Sequence, residues 1–153
     1  MNNDIANQPF DKRLAYGRET EDKVLFYIQG YFDEEAFVKL GHDKKKDIVC
    51  PTTGMLFEVK DQRNGEKYGS VFVELFKVFN GKDYPTKLST TGADFWVWYV
   101  QDKYYVIKTD KLKEIIVDKE LRSYTHIDGE KRGKILPITE LKDNCDFIWD
   151  AIN

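Results

Sequence analysis

From about Arg18 to Phe32 the apolar residues Leu25, Ile28 and Phe32 recur at helical spacing, with Val24 beside them, which predicts a helix. A second short helical stretch runs from Asp33 to Leu40, before the break at Gly41. The pattern then changes period. Asp47-Ile48-Val49-Cys50 and Met55-Leu56-Phe57-Glu58-Val59-Lys60 are β-prone runs on either side of Pro51-Thr52-Thr53-Gly54, which reads as a hairpin. Val71 to Phe76 is a further strand. Phe95 to Val100 and Tyr104 to Lys108, joined by Gln101-Asp102-Lys103, form a second hairpin dense in aromatic and β-branched residues. Thr109 or Asp110 then caps a helix carrying Leu112, Ile115 and Ile116. After Leu136-Pro137-Ile138, Thr139 caps a last helix with Leu141, Cys145, Ile148 and Ile152 along one stripe. This order predicts an α/β or α+β fold with a central mixed sheet flanked by helices.

Composition narrows the class. With 153 residues, 41% hydrophobic and 14% aromatic, the chain is too apolar for a disordered tail and is expected to form one domain, 1–153. No apolar run approaches a membrane span, and Met1-Asn2-Asn3-Asp4 lacks the features of a secretion signal, so a cytoplasmic protein with no membrane partner is expected. Cys50 and Cys145 belong to no paired motif and are expected as reduced, packed thiols. With only His42 and His126, no Cys/His zinc site can be assembled. Any metal must therefore be held by oxygen.

The candidate chemistry lies in the first hairpin. Side chains alternate along a strand, so Glu58 and Lys60 project from one face and Val59 from the other. If the four-residue loop closes symmetrically, Cys50 pairs with Met55 and Asp47 stands opposite Glu58, with Cβ atoms roughly 4.5–5.5 Å apart. Two carboxylates that close repel each other, and a divalent cation between them removes the repulsion. Glu21 projects from the core-facing stripe of the first helix, where a carboxylate needs a partner. The competing reading of Glu58-Val59-Lys60 is a solvated strand face with an ion pair, and that of Glu21 an edge carboxylate paired with Lys or Arg.

Glu21, Asp47, Glu58 and Lys60 resemble, in order and type, the pattern of the PD-(D/E)XK or restriction-endonuclease-like nuclease superfamily: an acidic residue on a first helix, an Asp at a strand start, then Glu-x-Lys on the partner strand. Lys46 stands where the Pro of the motif would be. The runs Phe57-Glu58-Val59-Lys60-Asp61, Tyr68-Gly69-Ser70-Val71-Phe72-Val73-Glu74, Ser89-Thr90-Thr91-Gly92-Ala93-Asp94-Phe95-Trp96 and Gly133-Lys134-Ile135-Leu136-Pro137-Ile138 are similar to nuclease-like proteins that recur in bacteriophage genomes. The likeness spans roughly residues 19 to 141. Gly69-Ser70 departs from the Gly-Asn favoured there, and Leu75-Phe76 from more polar neighbours of the Glu, which bears on the role of Glu74.

The resemblance implies hydrolysis of a DNA phosphodiester with Mg²⁺ or Mn²⁺, in the host cytoplasm if the gene is a phage's. Asp47, Glu58, the carbonyl of Val59 and Glu21 would hold the metal, and Glu74 is a candidate ligand for a second. Lys60 would orient the attacking water or stabilise the transition state. Lys44, Lys45, Lys46, Gln62, Lys131 and Arg132 are the expected nucleic-acid contacts. So short a chain leaves little for sequence reading, so selectivity for DNA structure, nicking, or pairing as a homodimer is expected. The alternative is a catalytically inactive protein of the same fold that binds nucleic acid or a host protein. A small-molecule hydrolase using the carboxylate pair is a third reading.

Other features carry less. Asp94 is expected in a turn or local hydrogen bond, and Trp96, Trp98, Tyr99, Tyr104 and Tyr105 as sheet core in place of a base-stacking platform. Gly129-Glu130-Lys131-Arg132-Gly133-Lys134 is one residue short of a phosphate loop, with Ile135 where Ser or Thr is required. The formal net charge of −3 argues against a protein that coats DNA. It averages opposed regions: residues 1–43 hold five Lys/Arg against nine Asp/Glu, and 103–134 hold nine against six.

Overall fold

The computed structural model describes residues 10–31, 38–39, 48–49, 53–62, 68–126 and 129–150; the side chains of 10–18, 30–31 and 38–39 are not described. The order is α1 (Phe10–Tyr31), β1 (Val38–Lys39), β2 (Ile48–Val49), β3 (Leu56–Asp61), β4 (Ser70–Phe79), β5 (Lys82–Pro85), a 3₁₀ turn (Lys87–Ser89), β6 (Phe95–Val100) and β7 (Lys103–Lys108). It continues with α2 (Thr109–Asp118), β8 (Ser123–Thr125), β9 (Lys131–Pro137), α3 (Ile138–Asn144) and β10 (Phe147–Asp150). The fold is α+β.

The strands form two sheets. The first is mixed, in the order β1-β2-β3-β6-β7-β10, with β3 parallel to β6 and the other neighbours antiparallel. The second is antiparallel, in the order β5-β4-β9-β8. A parallel neighbour cannot be reached by a tight turn. Between β3 and β6 the chain makes the crossover through β4, β5 and the 3₁₀ turn, and between β7 and β10 it inserts α2, β8, β9 and α3. Those two excursions meet as the second sheet.

Period-two alternation sorts the mixed sheet into two layers. Phe57, Val59, Phe95, Val97, Tyr104 and Val106 face α1, whose Val24 and Ile28 are fully buried against them. Trp96, Trp98, Val100, Tyr105 and Ile107 face the opposite way, onto Val71 and Val73 of β4, Leu136 of β9, Leu112 and Ile115 of α2 and Leu141 of α3. Each fully buried indole removes some 150–250 Å² from water, worth roughly 4–6 kcal/mol before the cost of ordering it. The aromatic cluster is thus sheet core, as its sequence pattern predicts. Cys145 is a free, half-buried thiol packed on the second layer, and Cys50 lies outside the described residues.

Three elements differ from the sequence expectation. Val38–Lys39, expected at the end of a second helix, pairs with β2, so strand pairing at the sheet edge overrides local helical spacing there. The last helix is only Ile138–Asn144, with Pro137 at its N-cap in place of Thr139, and Cys145 is extended. Phe147–Asp150 instead forms β10 against β7. Phe147 and Trp149 alternate inward, with Trp149 stacked on Tyr27 of α1 at 5.5 Å, while Ile148 faces outward. Finally, neither Thr109 nor Asp110 caps α2; Lys108 occupies the N-cap, and Thr109 Oγ1 donates to the Ala93 carbonyl at 2.7 Å. Among the described residues no helix is long and apolar enough to cross a membrane.

Candidate active site

The β2–β3 hairpin has the symmetric register that the loop length predicts, with Ile48 opposite Phe57 and Val49 opposite Leu56. Asp47 and Lys44 to Lys46 lie outside the described residues. Asp94 fixes the start of β3: its Oδ2 accepts the Leu56 amide at 2.9 Å, and its own amide donates to the Leu56 carbonyl at 2.8 Å. These bonds span 38 residues, which makes Asp94 a clip between β3 and β6 and not the local turn expected.

With β3 so placed, Val59 enters the α1 layer while Glu58 and Lys60 face the second layer. Glu58 Oε1 and Lys60 Nζ are 2.9 Å apart, and Lys60 sits 5.4 Å over the Trp96 ring, within range of a cation–π attraction. The ion pair of the competing reading is present. The solvated face is not, since Glu58 is 4% exposed. Its second oxygen, Oε2, is buried with no hydrogen-bond partner among the described residues.

Glu58 lines a cavity of about 310 Å³ together with Glu74, Lys77, Thr86, Lys87, Thr90 and Thr91. Every one of these comes from the crossover between β3 and β6. Glu74 sits at a β-bulge, where the β4–β9 register slips between Glu74 and Phe76. Bulges of this kind recur beside active sites because they re-aim a side chain. Thr86 Oγ1 donates to Glu74 Oε2 at 2.8 Å, and the Leu75 carbonyl accepts from the Thr86 amide and from Ser89 Oγ, which seats the 3₁₀ turn over the bulge. Lys87 opens that turn in the left-handed region, at φ 49°, an uncommon conformation for a residue with a side chain. Lys60 nearby, together with desolvation, holds the Lys87 ammonium below the usual lysine range, against the opposing pull of Glu58 and Glu74.

Two carboxylates and a set of lysines therefore converge on one cavity. A buried carboxylate oxygen with open lone pairs is costly unless a cation or donor reaches it. Glu58 and Glu74 supply the hard oxygen donors that suit Mg²⁺ or Mn²⁺. Among the described residues no cluster of three acidic, His or Cys side chains exists, and Asp47, the expected further ligand, is not among them.

The remaining expected residues are dispersed. Glu21 is half-buried on α1, the helix of the opposite layer; its neighbour Thr20 donates from Oγ1 to Asp61 Oδ2 at 2.6 Å on that side of β3. Gln62, expected to touch phosphate, laces β3 to β4, with Nε2 donating to the Phe72 carbonyl and Oε1 accepting the Phe72 amide, both at 2.8 Å. Lys131 lies close enough to depress Lys87, whereas Arg132 pairs with Asp83 at 2.9 Å. Lys77, Thr86 and Lys87 carry no motif that singles them out in the sequence. Thr90 and Thr91 do sit in the Ser89-Thr90-Thr91-Gly92-Ala93-Asp94 run.

No protein-family model, curated protein or solved structure matches this chain.

The crowding of lysines has a consequence for stability. The folded pKa of Lys87 lies below the ordinary value of 10.5, so the fold disfavours its charged form. That penalty is complete below the folded pKa and fades as pH rises toward the unfolded value. Lys87→Met is expected to raise the thermal midpoint of the metal-free protein at neutral pH, with the gain over wild type shrinking as pH is raised through the lysine range. Thermal melts of both proteins from pH 7 upward measure it.

Proposed function

We propose that the protein is a metal-dependent endodeoxyribonuclease of the PD-(D/E)XK type, phage-like, that nicks DNA or selects DNA by structure. The observation that carries this reading is Glu58, a buried carboxylate with one oxygen on Lys60 and the other unpartnered, facing a cavity that also holds Glu74. A structural ion pair does not need a second, buried and unsatisfied oxygen.

In this reading Glu58 and Asp47 hold the metal, with the Val59 carbonyl and Glu74 as further ligands, whereas Glu21, on the helix that packs against the opposite face of the sheet, is not a ligand. Bound there, Mg²⁺ would lower the pKa of its water and neutralise charge on the scissile phosphate. Lys60 is positioned by two contacts, the Glu58 carboxylate and the Trp96 face. Its ammonium would orient the nucleophilic water or meet the negative charge that develops on phosphorus-bound oxygen. Lys87, Lys77 and Lys131 add positive charge around the cavity for the backbone of the DNA strand.

The test is direct. Purified protein with Mg²⁺ or Mn²⁺ is expected to cut at least one of plasmid, linear, single-stranded or four-way-junction DNA. Activity should vanish in EDTA, return when the metal is restored, and be lost in Asp47→Ala. Intact DNA across the panel, with binding unaffected by Asp47→Ala, would leave a non-catalytic binding protein instead.

A further inference from the structure

A second cavity lies further along β4, toward its start. It measures about 370 Å³ and is walled by the aromatic rings of Tyr68, Phe72 and Tyr124, with Ile135 behind them and Arg122 and Gln62 at its polar side. The sheet pattern explains why these rings are not core. Val71 and Val73 of β4 point into the buried layer, so Phe72 between them points away from it, beside Ile135 of β9. Tyr124 of β8 stands opposite Gly133, which has no side chain, and its ring meets Phe72 edge to face at 5.7 Å. Tyr68 and Tyr124 remain 62% and 38% exposed. The fold gains little from rings left in water, and Arg122 has no ion pair among the described residues.

The position matters as much as the composition. β4 borders both cavities, with Glu74 and Lys77 at the first and Ser70 and Phe72 at the second. Gln62 lies just past the end of β3, four residues beyond Glu58, and Phe72 lies two residues before Glu74 on β4, so the aromatic wall begins roughly 7 Å along β4 from the Glu74 carboxylate. Aromatic faces stack on any unpaired base, and a guanidinium beside them can hold the adjoining phosphate. A base kept within a duplex stack offers no face to such a pocket.

We propose that the pocket of Tyr68, Phe72 and Tyr124 receives an unpaired nucleobase flanking the scissile phosphate, with Arg122 on the neighbouring phosphate, so that the substrate is a single-stranded or locally opened nucleic acid. This rests on the nuclease reading for the word scissile, but the pocket can be tested without cleavage. The full chain is titrated against fluorescein-labelled oligo-dT and against a duplex of the same length, in EDTA, by anisotropy. The single strand is expected to bind more tightly. Tyr124→Ala should weaken it roughly five- to a hundredfold and leave duplex binding unchanged, while Tyr124→Phe retains wild-type affinity because the ring face is kept. Arg122→Gln should reduce the salt dependence of single-strand binding by about one unit of slope. Oligo-U bound with the same response to Tyr124→Ala supports the pocket equally, since the base face is shared. Equal affinity for duplex and single strand, or an equal effect of Tyr124→Ala on both, overturns the proposal. Selective loss of single-strand binding in a protein that cuts nothing would keep the pocket and remove the nuclease; unchanged cutting of single strands by Tyr124→Ala would do the reverse.

Discussion

Glu58→Gln and Lys60→Ala should each lower DNA cleavage by roughly 10²–10³-fold or more while leaving DNA binding in EDTA within about threefold of wild type. The two substitutions remove different things. In Glu58→Gln the volume is kept but the charge that attracts the cation is gone, so raising Mn²⁺ or Mg²⁺ should recover part of the rate. In Lys60→Ala the carboxylate survives and loses its 2.9 Å partner, so metal affinity should hold or rise while the rate stays low. Single-turnover cleavage across a metal titration separates the two. The double variant should be scarcely worse than the poorer single one, because the two groups act as a unit. A rate unchanged in either single variant would remove that residue from the chemistry.

Gly133→Ala should be among the most destabilising single substitutions in the chain, costing about 3 kcal/mol or more. A β-carbon there would lie 1.9 Å from the Val73 carbonyl oxygen and 3.0 Å from the Glu74 Cα, both backbone atoms of β4 that no rotamer change can move aside. The strands must separate at the bulge, which is also where Glu74 is presented. Gly81→Ala is the control. Its φ of 74° makes a side chain strained, but nothing lies within 4 Å, so only the conformational term of about 1 kcal/mol applies. Urea denaturation midpoints for the three proteins should fall in the order wild type, Gly81→Ala, Gly133→Ala.

The part of the site legible in the sequence is the part fixed by local rules. Alternation alone puts Glu58 and Lys60 on one face and Val59 on the other, and a four-residue loop sets the hairpin register. The same rule, applied to Phe147-Ile148-Trp149-Asp150, reads as a strand, but the helical spacing of Leu141, Cys145, Ile148 and Ile152 competes with it there. What decides between them is the stacking of Trp149 on Tyr27, more than a hundred residues away. The second sheet was out of reach for a similar reason: β4 finds its partner in β9, with Ser70 opposite Pro137. Lys87 and the threonines of the cavity come from the connection between β5 and β6, where no periodicity marks a side chain as facing inward. Only the bond from Thr86 to Glu74 and the left-handed backbone of Lys87 show that the loop is a wall of the site.

That pairing of β4 with β9 also sets when the site can exist during synthesis. The β6–β7 hairpin closes across Gln101 and Asp102 and can form as soon as it emerges, whereas β4 waits for a strand that ends at Pro137. Contacts of such sequence separation form late, after the loop between them has been closed. A ribosome-bound chain that has exposed Glu58, Lys60 and Glu74 therefore carries all three residues without the bulge that orders the third. The cavity that gathers Glu58 and Glu74 is completed only with the C-terminal half, and a chain cut before β9 is expected to carry the carboxylates without the wall that presents them.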